Sequence, residues 1–216
     1  MKILITGSSG FIGFHLAKLL LKKKHKVHGY DSMNNYYDVK LKKARLNLLK
    51  KYPNFSFTKA TLENEKILKK TFELFKPKIV VHLAAQAGVR YSIEKPRVYL
   101  GSNIIGSFNV IEASHKVRVK HLIMASSSSV YGANKNIPFK EIDKTESQLS
   151  IYAATKKANE SMAHSYSNIW KIPITMLRFF TVYGPWGRPD MALFKFTKGI
   201  LNNKKIDIYN NGKMYR

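Results

Sequence analysis

A tyrosine and a lysine four residues apart, Tyr152 and Lys156, stand in the segment YAATKKANE. On a helix that spacing puts both side chains on one face. A free phenol titrates near pH ~10 and is a poor base at neutrality. A neighbouring ammonium favours the phenolate and makes it usable for general-base chemistry. Many helices carry YxxxK by chance, so the pair acquires meaning from its company. Upstream, four serines, Ser126–Ser129, close an apolar stretch. One of their hydroxyls can bond the same substrate hydroxyl that the phenol addresses. Turn chemistry at a strand end would explain one or two of these serines better than four.

A second constellation opens the chain. Gly7-Ser8-Ser9-Gly10-Phe11-Ile12-Gly13 lies between an apolar stretch and a helical pattern. Glycines there allow a tight turn and bring backbone N–H groups close to a pyrophosphate, which a helix N-terminus also favours. The spacing GxxGxxG differs from the GxGxxG of ordinary dehydrogenases. A glycine turn is weak by itself, because turns use glycine for steric reasons. Asp31 strengthens it: the acid falls about 20 residues beyond the turn, where a carboxylate accepts the ribose hydroxyls of NAD. The same charge would repel the 2′-phosphate of NADP, so NAD is the expected cofactor.

These residues need elements to hold them. Strands are predicted at Lys2–Thr6, Val27–Tyr30, Phe55–Thr58, Ile79–Leu83, His121–Ala125 and Pro173–Phe179. Between them, helical periodicity marks Phe11–Lys23, Val39–Lys50, Glu63–Phe75 and Pro96–Lys116, and a helix capped by Ser150 that runs to about Trp170. Pro77 breaks the third helix before a buried strand. Strands alternating with helices predict an α/β fold, a Rossmann-like doubly wound parallel sheet with helices on both faces. Ligands bind such sheets at the carboxyl ends of the strands. Gly7–Gly13, Asp31, His82–Ala85, Ser126–Ser129 and Thr181 all fall there. Met124, Met162 and Met176 lie in apolar patterns and read as core. Tyr36 and Tyr37 either contact a ligand or cover a loop. Residues 1–180 are expected to form the NAD-binding domain and 181–216 the start of a substrate-binding region.

Composition excludes several classes. With 216 residues, 44% of them apolar, the chain can bury a sizeable core. No apolar run approaches the ~20 residues of a membrane helix, and the start is not a secretory signal. Without cysteine there is neither a disulfide framework nor a thiolate metal site. The seven histidines show no metal-ligand spacing. A soluble cytoplasmic protein with no membrane partner is expected. The net charge of +25 would attract polyanions. Yet basic groups such as Lys22–Lys24, Lys40–Lys43 and Lys204–Lys205 are dispersed where solvated helix faces are predicted. No zinc-finger spacing or aromatic RNA-binding motif accompanies them, so no specific nucleic-acid partner is expected.

The segments TGSSGFIG, HLAAQAGVRYSIE, ASSSSVYGAN, YAATKKANE and LRFFTVYGPWGRPDMALF resemble the UDP-glucuronate 4-epimerases, a branch of the extended short-chain dehydrogenase/reductases. The likeness runs through essentially the whole chain, and its last segment is the specific one. It implies tightly held NAD, a UDP-hexuronic acid substrate, and inversion at C4′ through a 4-keto sugar. Tyr152 matches the base, Lys156 its partner and Ser127 the catalytic hydroxyl. Gly7, Gly10, Phe11, Ile12, Gly13, Asp31 and Asn34 match the dinucleotide-binding segments, and Ala84 lies in one that lines the cofactor. Asn103 lies in a substrate-lining segment, while Ser128, Ser129, Thr181 and Arg188 match positions that hold the sugar carboxylate. Pinning that carboxylate keeps a β-keto acid intermediate from losing CO₂. Relatives also form homodimers through helices corresponding to about Pro96–Lys116 and Ser150–Trp170.

Three departures accompany the likeness. Thr61 stands where relatives place an Asp for the adenine amino group, and Gly101 replaces an acid often found before Ser-Asn. The chain also stops at Met214-Tyr215-Arg216, after a strand-like stretch from Ile206 and a turn at Asn211-Gly212. Relatives continue there into a substrate lobe, so a C-terminal truncation is expected. The alternatives are a UDP-glucuronate decarboxylase, a UDP-glucose/UDP-galactose-type 4-epimerase, and an NAD-binding fragment without turnover.

Overall fold

In the computed structural model, which describes residues 1–213, six parallel strands form one sheet in the order β3-β2-β1-β4-β5-β6. They are β1 (Lys2–Thr6), β2 (Lys26–Asp31), β3 (Phe55–Lys59), β4 (Ile79–His82), β5 (His121–Ser127) and β6 (Ile174–Phe179). This is the doubly wound order of dinucleotide-binding folds. Strand order reverses between β1 and β4, which opens a crevice beyond Thr6 and His82. The chain end at Met214-Tyr215-Arg216 lies outside the described residues.

Beside short 3₁₀ turns, eight α-helices and a π-helical turn accompany the strands among the described residues. They are α1 (Phe11–Lys22), α2 (Val39–Lys50), α3 (Glu65–Phe75), α4 (Val89–Glu94), α5 (Pro96–Tyr99), a π-helical turn (Leu100–Ile105), α6 (Gly106–Lys116), α7 (Ile151–Trp170) and α8 (Ala192–Leu201). Alternation along β1 builds two cores. Ile3 and Ile5 face Phe14, Ala17, Leu21 and Leu49 from α1 and α2. Leu4 faces the other way, onto Leu68, Phe72, Val110 and Ile111 from α3 and α6, with Met124 beside them. Met162 and Met176 are partly buried against this second core. Both faces of β1 are therefore dry, as a parallel sheet with helices on either side requires.

The six strands and the five helical patterns fall where the sequence places them, within a few residues at their ends. Differences arise elsewhere. The predicted single helix Pro96–Lys116 is interrupted by the π turn, inside which Asn103 turns inward and bonds Gln86. The short α4 was not predicted. Nor was α8, which buries none of its residues and leaves Leu193, Phe194, Ile200 and Leu201 exposed. Ile206–Ile208 makes no strand pairing, while Asn211 and Gly212 both adopt positive φ, as a turn there requires.

Beneath the crevice lies a buried polar column. The His82 ring is hydrogen-bonded to Thr6 Oγ1 at 2.7 Å and to Ser107 Oγ at 2.9 Å, and Asn159 donates to the same serine. Burial lowers His82 from 6.5 to about 3, with help from the Lys156 charge. Burial likewise lowers His28, which contacts Ser56 and Thr58, to about 4. Both rings stay neutral in the fold and protonate in the unfolded chain below pH 6.5. The unfolded state thus binds more protons, so stability falls as pH drops from 6.5 towards 4. Urea unfolding followed across that range is expected to show the decline, and His82→Asn to flatten it. An identical slope in the variant would mean that His82 contributes nothing to the acid sensitivity.

Candidate active site

The glycine turn is built for close approach. Gly7 has a φ of +71°, and its N–H donates to Tyr30 O at 2.7 Å. A Cβ on Gly13 would sit 2.2 Å from Gly7 O, so only glycine lets α1 start this close to the turn. Gly10 caps α1 with no side-chain hydrogen bond, and the first helical turn carries no acid. Its unshared N–H groups and positive dipole end suit an anion. Gly7, Gly10, Phe11, Ile12 and Gly13 all line a cleft of ≈ 520 Å³.

At one end of the cleft Asp31 closes β2. Its Oδ2 accepts from Ser9 N at 3.0 Å and its Oδ1 from Met33 N at 2.8 Å, which fixes the carboxylate while leaving lone pairs for further donors. Asn34 also lines the cleft, and its backbone and side-chain oxygens both accept from Lys42 Nζ. Ala84 lies at the tip of β4, where its N–H donates to Thr6 Oγ1. A glycine cradle at a helix N-terminus, flanked by a fixed carboxylate, fits a dinucleotide. Thr61 is in the wall, and so is Glu63, a carboxylate that sequence reasoning missed. A Cβ on Gly101 would lie 3.2 Å from Glu63 Oε1, so the glycine leaves room for that acid.

Deeper in the same cleft, α7 faces the end of β5. Ser150 caps α7 by accepting from Ala153 N, which sets Tyr152 and Lys156 in the first two turns. The Ser127 hydroxyl lies beside the Tyr152 phenol and acts to lower its pKa. Lys156 is buried and donates to Ala125 O at 2.8 Å. Burial lowers its pKa to about 8. The phenol differs from expectation: burial raises Tyr152, and only the Ser127 hydroxyl and the Arg188 charge pull it down. The Lys156 ammonium, drawn to a carbonyl of β5, does not offset the loss of water around the ring. Within the chain itself, therefore, the phenol stays protonated at neutrality.

Thr181 and Arg188 close the far wall. Arg188 is paired with Asp190, Nε to Oδ1 at 3.0 Å and Nη2 to Oδ2, and Tyr36 Oη donates to the same carboxylate at 3.2 Å. Three predicted substrate residues are not part of the lining. Ser128 and Ser129 form a 3₁₀ turn beyond it, with Ser129 N bonded to Ser127 Oγ. Asn103 is fully buried behind the wall, its amide spent on the Gln86 backbone and on Thr155 Oγ1. It braces the wall and does not face it.

Other residues come into view only in three dimensions. Lys42 and Arg45 lie on the lysine-rich face of α2 read as solvated, yet both are buried. Their spacing of three along a helix whose other basic residues face water was the sole available signal. One turn beyond Lys156, Glu160 accepts from Ser126 Oγ at 2.6 Å and from Arg178 through both carboxylate oxygens at 3.0 Å. Burial pushes Glu160 up, but the Arg178 and Ser126 bonds outweigh it and hold the group charged. Residues 156 and 160 of α7 are thus stitched to 125 and 126 of β5, with 152 set beside 127.

Comparison with known proteins agrees with this geometry. The chain is 60% identical to protein CapI of Staphylococcus aureus over its whole length, which spans 64% of that protein. It is 52% identical to a probable UDP-glucuronate 4-epimerase of Rhizobium meliloti (strain 1021), covering 63% of it. Among solved structures, the Bacillus cereus UDP-glucuronic acid 4-epimerase in complex with UDP-glucuronic acid and NAD superposes with a TM-score of 0.92 at 36% identity, over 98% of this chain and 67% of that one. Residues 3–216 match the family described as "NAD dependent epimerase/dehydratase family". With that match, the sheet order and the cleft in agreement, the chain belongs to the NAD dependent epimerase/dehydratase family.

Proposed function

We propose that this protein binds NAD and interconverts UDP-glucuronate and UDP-galacturonate by inverting C4′. The observation that carries the reading is one cleft in which the Tyr152 phenol, the Ser127 hydroxyl and the Arg188 guanidinium converge beside a dinucleotide cradle. The similarity to an epimerase structure holding UDP-glucuronic acid and NAD supports it. NAD, when bound, supplies the hydride acceptor for C4′ and the donor that returns hydride to the opposite face.

The chain's own groups do the rest. Gly7 through Gly13 seat the pyrophosphate, and Asp31 takes the adenosine ribose. Tyr152, in its phenolate form, accepts the 4′-hydroxyl proton and later gives it back, with Ser127 sharing a hydrogen bond to the same oxygen. Lys156, anchored on Ala125, orients this end of the cleft. Arg188 and Thr181 hold the sugar carboxylate. That grip keeps the C5′–carboxylate bond out of line with the ketone and so suppresses loss of CO₂. In this reading, residues 1–180 form the cofactor domain and 181–216 begin the substrate region.

No described helix is long and apolar enough to cross a membrane, and we place the protein in the cytoplasm. Phe108 on α6, with Ile169 and Trp170 on α7, leaves apolar surface open on neighbouring helices. A homodimer built on α6 and α7 would cover it.

The test is incubation of the purified chain with UDP-glucuronate and no added NAD, with products resolved by chromatography. UDP-galacturonate is the expected product. A UDP-pentose would instead make the enzyme a decarboxylase, and faster turnover of UDP-glucose a neutral-sugar epimerase. An NAD-loaded chain that forms no product would overturn the reading for this chain.

A further inference from the structure

Arg45 is the bulkiest of the fully buried side chains, at 0% exposure. Buried arginines usually meet a carboxylate. Among the described residues, no carboxylate pairs with this one. Instead Nη1 donates to Ser9 O at 3.1 Å and to Tyr37 Oη at 2.8 Å, and Nη2 to Trp186 O at 2.5 Å and to Gly187 O at 3.1 Å. Nε is buried without a partner.

These acceptors belong to three segments far apart in sequence. Ser9 lies in the glycine turn, Tyr37 in the loop after β2, and Trp186 and Gly187 immediately precede Arg188. Ser9 is gripped from both sides, since its N–H donates to Asp31 while its carbonyl accepts from Arg45. A continuous relay therefore runs from Asp31 through Ser9 and Arg45 to Gly187, one peptide bond from Arg188. The loop also rests on α1, with His15 Nε2 bonded to Pro185 O at 2.8 Å and Trp186 packed against Phe14. A planar five-donor fork can serve four acceptors in one plane, whereas an ammonium cannot.

The geometry points to Arg45 as a positioning residue that couples the dinucleotide seat to the seat of the substrate carboxylate. Its charge has no carboxylate partner of its own and sits against the turn that takes a pyrophosphate. An arriving dinucleotide brings the compensating negative charge and stiffens the turn. Through the two Nη groups that order passes to the 186–188 loop and fixes Arg188. By linkage, an occupied carboxylate seat in turn strengthens the hold on the dinucleotide. Only the identity of the two ligands rests on the function proposed above.

Trp186 does not line the cleft, and with Trp170→Phe it becomes the only tryptophan, a reporter of its loop that needs no turnover. In that background, NAD titration is expected to change Trp186 emission. Arg45→Met and Arg45→Lys should both abolish the change and weaken NAD binding about tenfold. The same variants should raise KM for UDP-glucuronate about tenfold while leaving KM for a neutral UDP-hexose within about twofold. A folded Arg45→Met chain, judged by circular dichroism and a cooperative melt, that keeps the Trp186 response would overturn the coupling. Should Arg45→Met not fold, Tyr37→Phe removes one of the four acceptors. A weakened Trp186 response then supports the inference, and an unchanged one overturns it. A response that depends on Arg45 in a chain inactive on UDP-glucuronate would leave the coupling standing and remove only the functional reading.

Discussion

Replacing Tyr152 by phenylalanine is expected to lower kcat for interconversion of the uronic acids by ~10³-fold, the scale of a lost general base, with NAD still bound. The variant keeps the ring against Tyr99, packed edge-on at 6.2 Å, so little but the hydroxyl is removed. Because burial raises this phenol, its work depends on the groups that pull the proton away, and within the chain these are Ser127 and Arg188. Ser127→Ala should therefore move the acidic limb of the kcat profile to higher pH, and Tyr152→Phe should erase that limb from any residual rate. Single-turnover measurements on NAD-loaded protein would check this. Comparable turnover in Tyr152→Phe would assign the proton to another group.

Arg188→Ala is expected to reduce kcat/KM for UDP-glucuronate by ~10²-fold, the scale of a lost charge-assisted pair, and to spare a neutral UDP-hexose. Loss of the guanidinium does more than remove a contact. Asp190, held by Arg188 and Tyr36, becomes an uncompensated carboxylate where another carboxylate must arrive. Two like charges at short range oppose binding. Arg188→Ala combined with Asp190→Asn should recover part of the loss, which a simple missing contact would not predict. Decarboxylated product should appear in the single variant, because the bond to CO₂ is no longer held out of line. Chromatography of the product mixture decides the matter, and unchanged kinetics and products would make Arg188 structural.

Much of this site was legible in residue order because its parts cluster at the ends of parallel strands. Gly7–Gly13 follows β1, Asp31 ends β2, Ser127 ends β5 and Thr181 follows β6, and period and punctuation place each strand. Tyr152 and Lys156 were legible because one helix carries both. What escaped reading depends on contacts between segments. Only their spacing of three along the helix distinguishes Lys42 and Arg45 from the solvated lysines beside them. Arg45 is held by the 186–187 loop, roughly 140 residues later in the chain, and Lys42 by Asn34 in the loop after β2. Asn103 was assigned to a substrate-lining segment through the family resemblance, whereas the π turn carries it inward onto the Gln86 backbone. The helix α8 escaped because no described core receives it, so its apolar residues had nothing to reveal a buried face.

The π turn at Leu100–Ile105 has a consequence for how this protein changes over generations. An α-helix advances by about 100° per residue, and a turn closed by an i→i+5 bond holds one residue more. The stretch from Pro96 to Lys116 therefore carries two faces out of phase, one aiming Asn103 at Gln86 and the other setting Gly106 against Leu62. Gain or loss of a single codon within the turn would shift one face against the other. No exchange of one amino acid for another does the same. Inheritance should thus treat these six positions as a unit of length, intolerant in count, with Asn103 held in identity as well by its bonds to Gln86 and Thr155.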